Sequence, residues 1–522
     1  MIIIGAGFAG MYQLHRLRGL GFDARVIEAG DDVGGTWYWN RYPGARCDIE
    51  SVEYSYSFDP ELEQEWNWSE RYAAQPELLS YAQHVAQRYD LRKDIVFNSR
   101  VEKLDWDDDA RRWTVTTDDG TARTARYVIA ATGCLSVPSR PRFEGLADFA
   151  GEVYWTSRWP HEGVDLAGKR VAVIGTGSSG LQTITAIAPV VGELTVFQRT
   201  PSFAVPAHNG PNDERLADAR TRYREIREYS RLSRTGFQCR SGTRSLVETE
   251  PEEVRREFDT RWADGGLCFS SAYQDILKDM KANEVAAEYV RGRIREKVKD
   301  PRLAEKLSPR TYPIASKRMC VDTGYFEVYN QDNVSLIDIN EQPIRRIDRR
   351  GIVAGETRHE FDVIILATGF DAMTGALSAM NIRGAGRTLR EKWAHGPRTY
   401  LGVMSAGFPN LFMVTGPQSP SVLSNMMTSI EYHVDWITRA LEYLREHGLH
   451  RMEPAPDAED NWVNTTNDIA ALTVMPRAAS WYMGANIPGK QRVFMPFAGG
   501  VGTYKQIGDG VAVAHYHGFE LT

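Results

Sequence analysis

Two stretches of this chain have the residue types and spacing to hold phosphates. Gly5-x-Gly7-x-x-Gly10 follows an apolar run at residues 1–4, and Gly175-x-Gly177-x-x-Gly180 follows another at residues 171–174. In such a loop the first glycine allows a tight turn and the second lets backbone approach a pyrophosphate. The third lets the next helix pack on the strand, and that helix turns its N-terminal N–H groups to the phosphates. Phe8 and Ala9 complete the first loop; Thr176, Ser178 and Ser179 complete the second. A helical pattern with Leu14, Leu17 and Leu20 on one face follows the first loop. A strand at residues 24–27 then ends in Glu28, where a carboxylate accepts hydrogen bonds from a ribose diol. The second unit also runs into a strand, at residues 194–197, but there the next residues are Gln198, Arg199 and Thr200. A carboxylate would repel a 2′-phosphate, whereas a guanidinium fork and a hydroxyl would hold one. The first site therefore suits an unphosphorylated adenosine ribose and the second NADPH.

A flavin and NADPH with no second redox group leave two outcomes: the reduced flavin passes electrons on, or it meets oxygen. A peroxide formed there needs a dry site and a fixed cation. Arg46, Lys317 and Arg318 are the candidates, with Asp48 as a carboxylate able to orient an arginine. Residues 34–48 alternate glycines and aromatics with Arg41, Arg46 and Asp48. The segment is too irregular for a helix or strand and too apolar for a solvated loop, so it should pack on the flat isoalloxazine.

The elements that position these groups read as α/β. A chain of 522 residues is long enough for two or three domains. Residues 96–105 and 112–117 read as strands, with a hairpin turn at 118–120, and residues 76–89 as an amphipathic helix. Residues 127–133 and 361–369 both read as buried strands closing in Ala-Thr-Gly, so the two halves look like copies of one architecture. The expected fold has two Rossmann-like dinucleotide-binding domains, the second inserted into the first. FAD takes 1–138, NADPH takes 139–369 with a helical insertion at about 207–312, and 370–522 returns to the FAD domain with substrate-side loops. The charged run at 215–231 reads as solvated surface. Residues 411–417 read as a strand, and 421–425 lead into a helix through Ile430, Val434 and Ile437 whose N-terminus faces the flavin pyrimidine. The glycine-rich stretch 481–489 is either a mobile lid or a surface turn.

Composition narrows the partners. Net charge is −7, which favours neither nucleic acid nor an anionic membrane, and no apolar run reaches a membrane span. The start is too short for a signal peptide, and it leaves open that a few native residues precede the strand. Five cysteines, an odd number without a CxxC, argue for a reducing cytoplasm and against a redox disulfide beside the flavin. The histidines show no metal-ligand spacing, so no metal is expected.

With these residues in view, the chain resembles the Baeyer–Villiger monooxygenases, the class B flavoprotein monooxygenases, over nearly its whole length. Residues 34–48 match that family's flavin-side motif. Phe149-Ala-Gly151-Glu-Val-Tyr-Trp155-Thr-Ser-Arg-Trp159-Pro160 falls on its fingerprint, FxGxxxHxxxWP, with Trp155 in place of the histidine, and Ser316-Lys-Arg318 falls where the family has its catalytic arginine. The resemblance implies oxygenation of a small to medium ketone to an ester or lactone through a C4a-peroxyflavin, by a monomer or weak oligomer. It implies that Arg318 stabilises the peroxyflavin and the adduct, and that Asp48 holds Arg318. Lys317, Arg199 and Thr200 would bind the 2′-phosphate, and residues 175–180 the pyrophosphate. Gly35, Thr36, Trp37, Trp39, Arg46, Cys47, Tyr54, Val101 and Met426 would line FAD, with Trp481 closing over nicotinamide or substrate. Ile49, Leu135, Met319, Cys320, Ser421, Val422, Leu423 and Met426 would line the ketone pocket. An N- or S-oxidising flavin monooxygenase and a non-oxygenating NADPH-binding redox sensor are the rival readings.

Overall fold

The computed structural model describes all 522 residues. Each glycine loop starts from the central strand of its own five-stranded parallel sheet. In the first sheet the order is Leu411–Met413, Val128–Ala130, Ile2–Ile4, Arg25–Ile27, Ile95–Val96. In the second it is Val334–Asp338, Glu193–Gln198, Arg170–Ile174, Val363–Leu366, Glu152–Trp155. Strands buried on both faces read as short continuous apolar runs, which is what Ile2-Ile-Ile4 and Val363-Ile-Ile-Leu366 are. In both sheets the strand ending in Ala-Thr-Gly lies beside the loop strand, as the repeat in the sequence implies.

The repeat extends to backbone angles. Gly5 and Gly175 turn at φ +101° and +113°, conformations open to glycine. Gly7 and Gly177 share φ −74° and ψ −173° and begin the helices Phe8–Gly19 and Ser178–Ile187. A Cβ on Gly10 would stand 1.8 Å from the Gly5 carbonyl oxygen, and one on Gly180 would stand 2.1 Å from that of Gly175. These two glycines set how closely helix packs on strand.

The chain crosses between the sheets twice, and the crossings run side by side. Ser139 N–H donates to Gly369 O at 2.8 Å, and the Thr368 hydroxyl donates to Ser139 O at 2.9 Å. The first sheet is completed by Leu411–Met413, and the helix Met426–Glu446 packs beside it with Val434, Ile437 and Leu441 buried. No helix is long and apolar enough to cross a membrane.

Two expectations need correction. The strand expected at 96–105 is two strands in different sheets. Ile95–Val96 pairs with Arg25–Ile27, and Val101–Asp107 starts a mixed four-stranded sheet. Asn98, at φ +53°, turns the chain between them. The charged helix Asp213–Leu232 is not all solvated surface. Leu216, Ala219, Tyr223 and Ile226 are buried in the core of the first unit. Arg227 is buried as well: its Nε donates to Glu63 at 2.8 Å, and Nη2 donates to the Ser55 hydroxyl at 2.6 Å. A buried charge persists only with such partners.

Candidate active site

One cavity of about 1050 Å³ runs from the first glycine loop to the second. On the first side Gly5, Gly7, Phe8, Ala9 and Glu28 line it, with Gly35, Thr36, Trp37, Trp39, Arg46, Cys47, Asp48, Tyr54 and Val101. On the second side the wall is Gly175, Thr176, Gly177, Ser178, Ser179, Arg199, Thr200, Lys317 and Arg318. Ile49, Leu135, Val422, Met426 and Trp481 close the space between. Gly10 and Gly180 stand behind the loops as packing residues. Met319, Cys320 and Ser421 are buried off the wall, and Leu423 is half-buried off it. Cys320 instead lies under the second loop, its sulfur 3.6 Å from the Ser178 hydroxyl.

The cavity fits two dinucleotides. Neither glycine-loop helix has a side-chain cap, so the first-turn N–H groups are left for phosphate oxygens. A Cβ on Gly35 would meet Gly7 Cα at 2.7 Å, and no atom lies within 4 Å of a Cβ on Gly177, so both loops present bare backbone. Glu28 is buried and held from behind. Its two oxygens accept from Ala6 N–H at 2.6 Å and Gly30 N–H at 2.7 Å, and each keeps a lone pair for a ribose diol.

At the second loop Arg199 and Lys317 are cations without a carboxylate partner. The Lys317 ammonium lies 4.5 Å from the centroid of the Tyr312 ring. Burial first, and the Arg199 charge second, pull it down to about 8. Two unpaired positive charges beside a nucleotide loop suit a phosphate.

Where the loops meet, Arg318 and Asp48 form a two-point pair. Arg318 Nε and Nη2 donate to the two Asp48 oxygens at 2.8 and 2.7 Å, and Nη1 donates to Val422 O at 2.8 Å. Burial works against the guanidinium charge, but the Asp48 carboxylate outweighs it and holds the group above its ordinary range. Those three bonds leave two of the five guanidinium N–H donors for an anionic oxygen. Arg46, the other candidate on this side, is tied to Glu70 and to the Tyr72 carbonyl.

The helix Met426–Glu446 is capped by the Asn425 side chain, which accepts from Met427 N–H at 3.0 Å, and Met426 and Ile430 line the cavity. The 481–489 stretch is a packed wall rather than a solvated turn. Tyr482 is buried, Asn486 donates to Phe370 O at 2.7 Å, and Lys490 binds Asp371 and donates to Ala372 O at 3.0 Å.

Trp155 ends the edge strand of the second sheet, beside Leu366, and is half-buried against the apolar cluster that contains Ile174 and Leu366. Its neighbours carry contacts the sequence did not announce. The Arg158 guanidinium stacks 4.3 Å above the Trp39 ring, and His161 packs edge-on to Tyr38 at 5.1 Å. Gln182 was also missed: it accepts from the Tyr42 hydroxyl at 2.8 Å and donates to Arg46 O at 3.0 Å. Arg158 and Gln182 both line the cavity and join the two units. Arg158 lies inside the fingerprint stretch, which was the one signal for it.

A family model described as pyridine nucleotide-disulphide oxidoreductase matches residues 2–217. A Baeyer-Villiger monooxygenase from Pseudooceanicola batsensis is 42% identical over 511 residues, covering 97% of this chain and 93% of that protein. An acetone monooxygenase (methyl acetate-forming) from Gordonia sp. is 40% identical, with 100% of this chain and 98% of the other covered. Among solved structures, an oxidized steroid monooxygenase bound to NADP superposes with a TM-score of 0.96 at 49% identity, covering 100% and 98% of the two chains.

Proposed function

Because this chain belongs to the Baeyer–Villiger monooxygenases, and so is an FAD- and NADPH-dependent enzyme that oxygenates ketones, we propose that Arg318, held by Asp48, is the cation at its reacting centre. The observation that carries this reading is the two-point Arg318–Asp48 pair at the junction of two nucleotide loops, with guanidinium donors left over. FAD lies along the first loop and NADPH along the second; together, when bound, they supply hydride transfer and the activation of dioxygen.

The chain does the rest by position and charge. Glu28 takes the FAD ribose diol, and the N–H groups behind Gly7 take its pyrophosphate. Residues 175–180 take the NADPH pyrophosphate, while Arg199, Thr200 and Lys317 take the 2′-phosphate and so select the phosphorylated cofactor. Asp48 fixes the plane of Arg318 so that its free N–H groups face the oxygen on which negative charge develops, and no reorganisation is needed at that moment. Val422, whose carbonyl also holds Arg318, forms an apolar wall for the ketone with Ile49, Leu135 and Met426. Trp481 closes over nicotinamide or substrate. The FAD unit comprises 1–138 and 370–522, and the NADPH unit 139–369. Five free cysteines support a reducing cytoplasm as the working compartment.

The test is product mass from a ketone panel with NADPH and oxygen. Ester or lactone should form with wild type. Arg318→Ala should still be reduced by NADPH but lose product about a hundredfold or more, the scale for one preorganised charge partner. Normal ester yield in that variant removes Arg318 from the chemistry.

A further inference from the structure

His433 is buried on the helix Met426–Glu446, one turn past Ile430, and does not line the cavity. Both its ring nitrogens are nonetheless engaged. The Thr415 N–H donates to Nδ1 at 3.1 Å, and the Tyr504 hydroxyl lies 2.9 Å from Nε2. A backbone N–H can only donate, so Nδ1 carries no proton. The Tyr504 hydroxyl donates its own proton to Leu401 O, so its oxygen accepts from Nε2–H. The tautomer is thereby set from both sides. The two rings also stack, with centroids 5.4 Å apart and planes 11° from parallel. Burial pulls the imidazole down to about 4, over an opposing pull from the Met413 backbone, so the ring is neutral at pH 7.

What the ring holds is strained. Thr415 sits at φ +53°, a left-handed conformation that a β-branched residue keeps only when its surroundings impose it. Leu401, at the far end of this run of hydrogen bonds, is left-handed as well, at φ +56°. Thr415 is where the chain leaves the first sheet after the strand Leu411–Met413. It lines the cavity, and the segment it starts supplies three more wall residues, Val422, Ser424 and Met426. The Val422 carbonyl is the one that holds Arg318. The helix bearing His433 ends this segment, so the bond from Thr415 to His433 pins the beginning of the segment to its end.

We infer that His433 is a positioning residue of the reacting centre: by accepting the Thr415 N–H it fixes the left-handed turn there, and with it the wall segment that carries Val422. It acts through backbone and touches neither cofactor nor substrate. The inference rests on the role given above to Arg318, whose third hydrogen bond ends on that segment. Tyr504 is the second half of the device. It keeps the proton on Nε2 and so keeps Nδ1 an acceptor. A neutral ring suits the task, because an imidazolium has two donors and no acceptor for Thr415.

Two substitutions separate the two ring nitrogens. Asparagine places an amide oxygen near the Nδ1 position and keeps an acceptor for Thr415. Glutamine reaches the Nε2 position and keeps the Tyr504 contact instead. Three readouts are taken on the full-length FAD-loaded protein: amide hydrogen exchange of peptides spanning Thr415, the visible flavin spectrum, and the ester-to-peroxide ratio with one good ketone. His433→Gln should speed exchange at Thr415 about tenfold, the scale of one lost hydrogen bond. It should also shift the flavin spectrum and lower the ester share while the KM for NADPH stays unchanged. His433→Asn should match wild type in all three, whatever its melting temperature. Equal changes in the two variants, no change in His433→Gln, or the larger change in His433→Asn overturns the proposal. Where His433→Gln fails to hold FAD, wild-type exchange in FAD-loaded His433→Asn supports it, and loss of FAD from both overturns it. Normal ester yield in Arg318→Ala removes only the role of Arg318; the exchange contrast at Thr415 still decides whether His433 sets the turn.

Discussion

Raising the pH from about 7 to about 9 should weaken NADP+ binding about tenfold and leave NAD+ binding unchanged. The magnitude follows from Lys317, which burial and Arg199 draw down to about 8. The sign is that of a depressed lysine. The ammonium is present below about 8 and is lost as the pH rises through it. In the free protein roughly nine-tenths of Lys317 is charged at pH 7 and roughly one-tenth at pH 9. A 2′-phosphate dianion favours the charged form, so the complex keeps the proton, and the apparent Kd scales inversely with the charged fraction. That ratio is about tenfold, or about 1.4 kcal/mol. Below a pH of about 6 the phosphate itself takes up a proton, which sets the other edge of the window. The assay is calorimetric titration of NADP+ into the FAD-loaded protein at three pH values and one ionic strength. Lys317→Arg should flatten the profile, since a guanidinium keeps its charge throughout. A flat wild-type profile, or a slope shared by NAD+, refutes the assignment of Lys317 to the 2′-phosphate.

Asp48→Ala should lower ester formation less than Arg318→Ala does, because the cation remains and only its orientation is lost; stopped-flow traces should show flavin reduction by NADPH preserved. Gly180→Ala places a methyl 2.1 Å from the Gly175 carbonyl and should lower stability by roughly 1–3 kcal/mol or more, read from thermal melts. Trp155→His removes apolar volume from the cluster around Ile174 and should cost about 1–2 kcal/mol without improving the ester-to-peroxide ratio. A histidine variant that is both more stable and better coupled would show that Trp155 is a defect rather than a packing residue.

The nucleotide loops were legible because every part of them has a local physical reason: a positive φ, a close backbone approach, a charge at the end of the second strand. From residue types alone Arg318 and Asp48 were legible as a cation and an orienting carboxylate in suspect stretches; that they pair was implied only by the family resemblance. Their pairing brings together loops more than half the chain apart, and no periodicity encodes that contact. The same limit explains the misses. Asn98 divides one alternating run into two strands because it sits in the left-handed region, a choice made by the sheets on either side. Arg227 looks like any surface arginine until Glu63 and Ser55 are folded against it. Ser421, Met319 and Cys320 lie close in sequence to wall residues but point elsewhere, since neighbouring positions on irregular backbone share no fixed face.

The side-by-side crossing of the chain has a consequence for its birth on the ribosome. Strands Ile2–Ile4 and Val128–Ala130 emerge early, yet their neighbour Leu411–Met413 emerges only after the whole second sheet. At about 5–20 residues per second that delay is on the order of tens of seconds. The second sheet, whose five strands all fall between Glu152 and Leu366, can close during this time. Meanwhile Val128–Ala130 offers an open, apolar strand edge to anything nearby. The part of the molecule synthesised first is thus the part finished last, and it is there that a nascent chain most needs a chaperone's cover.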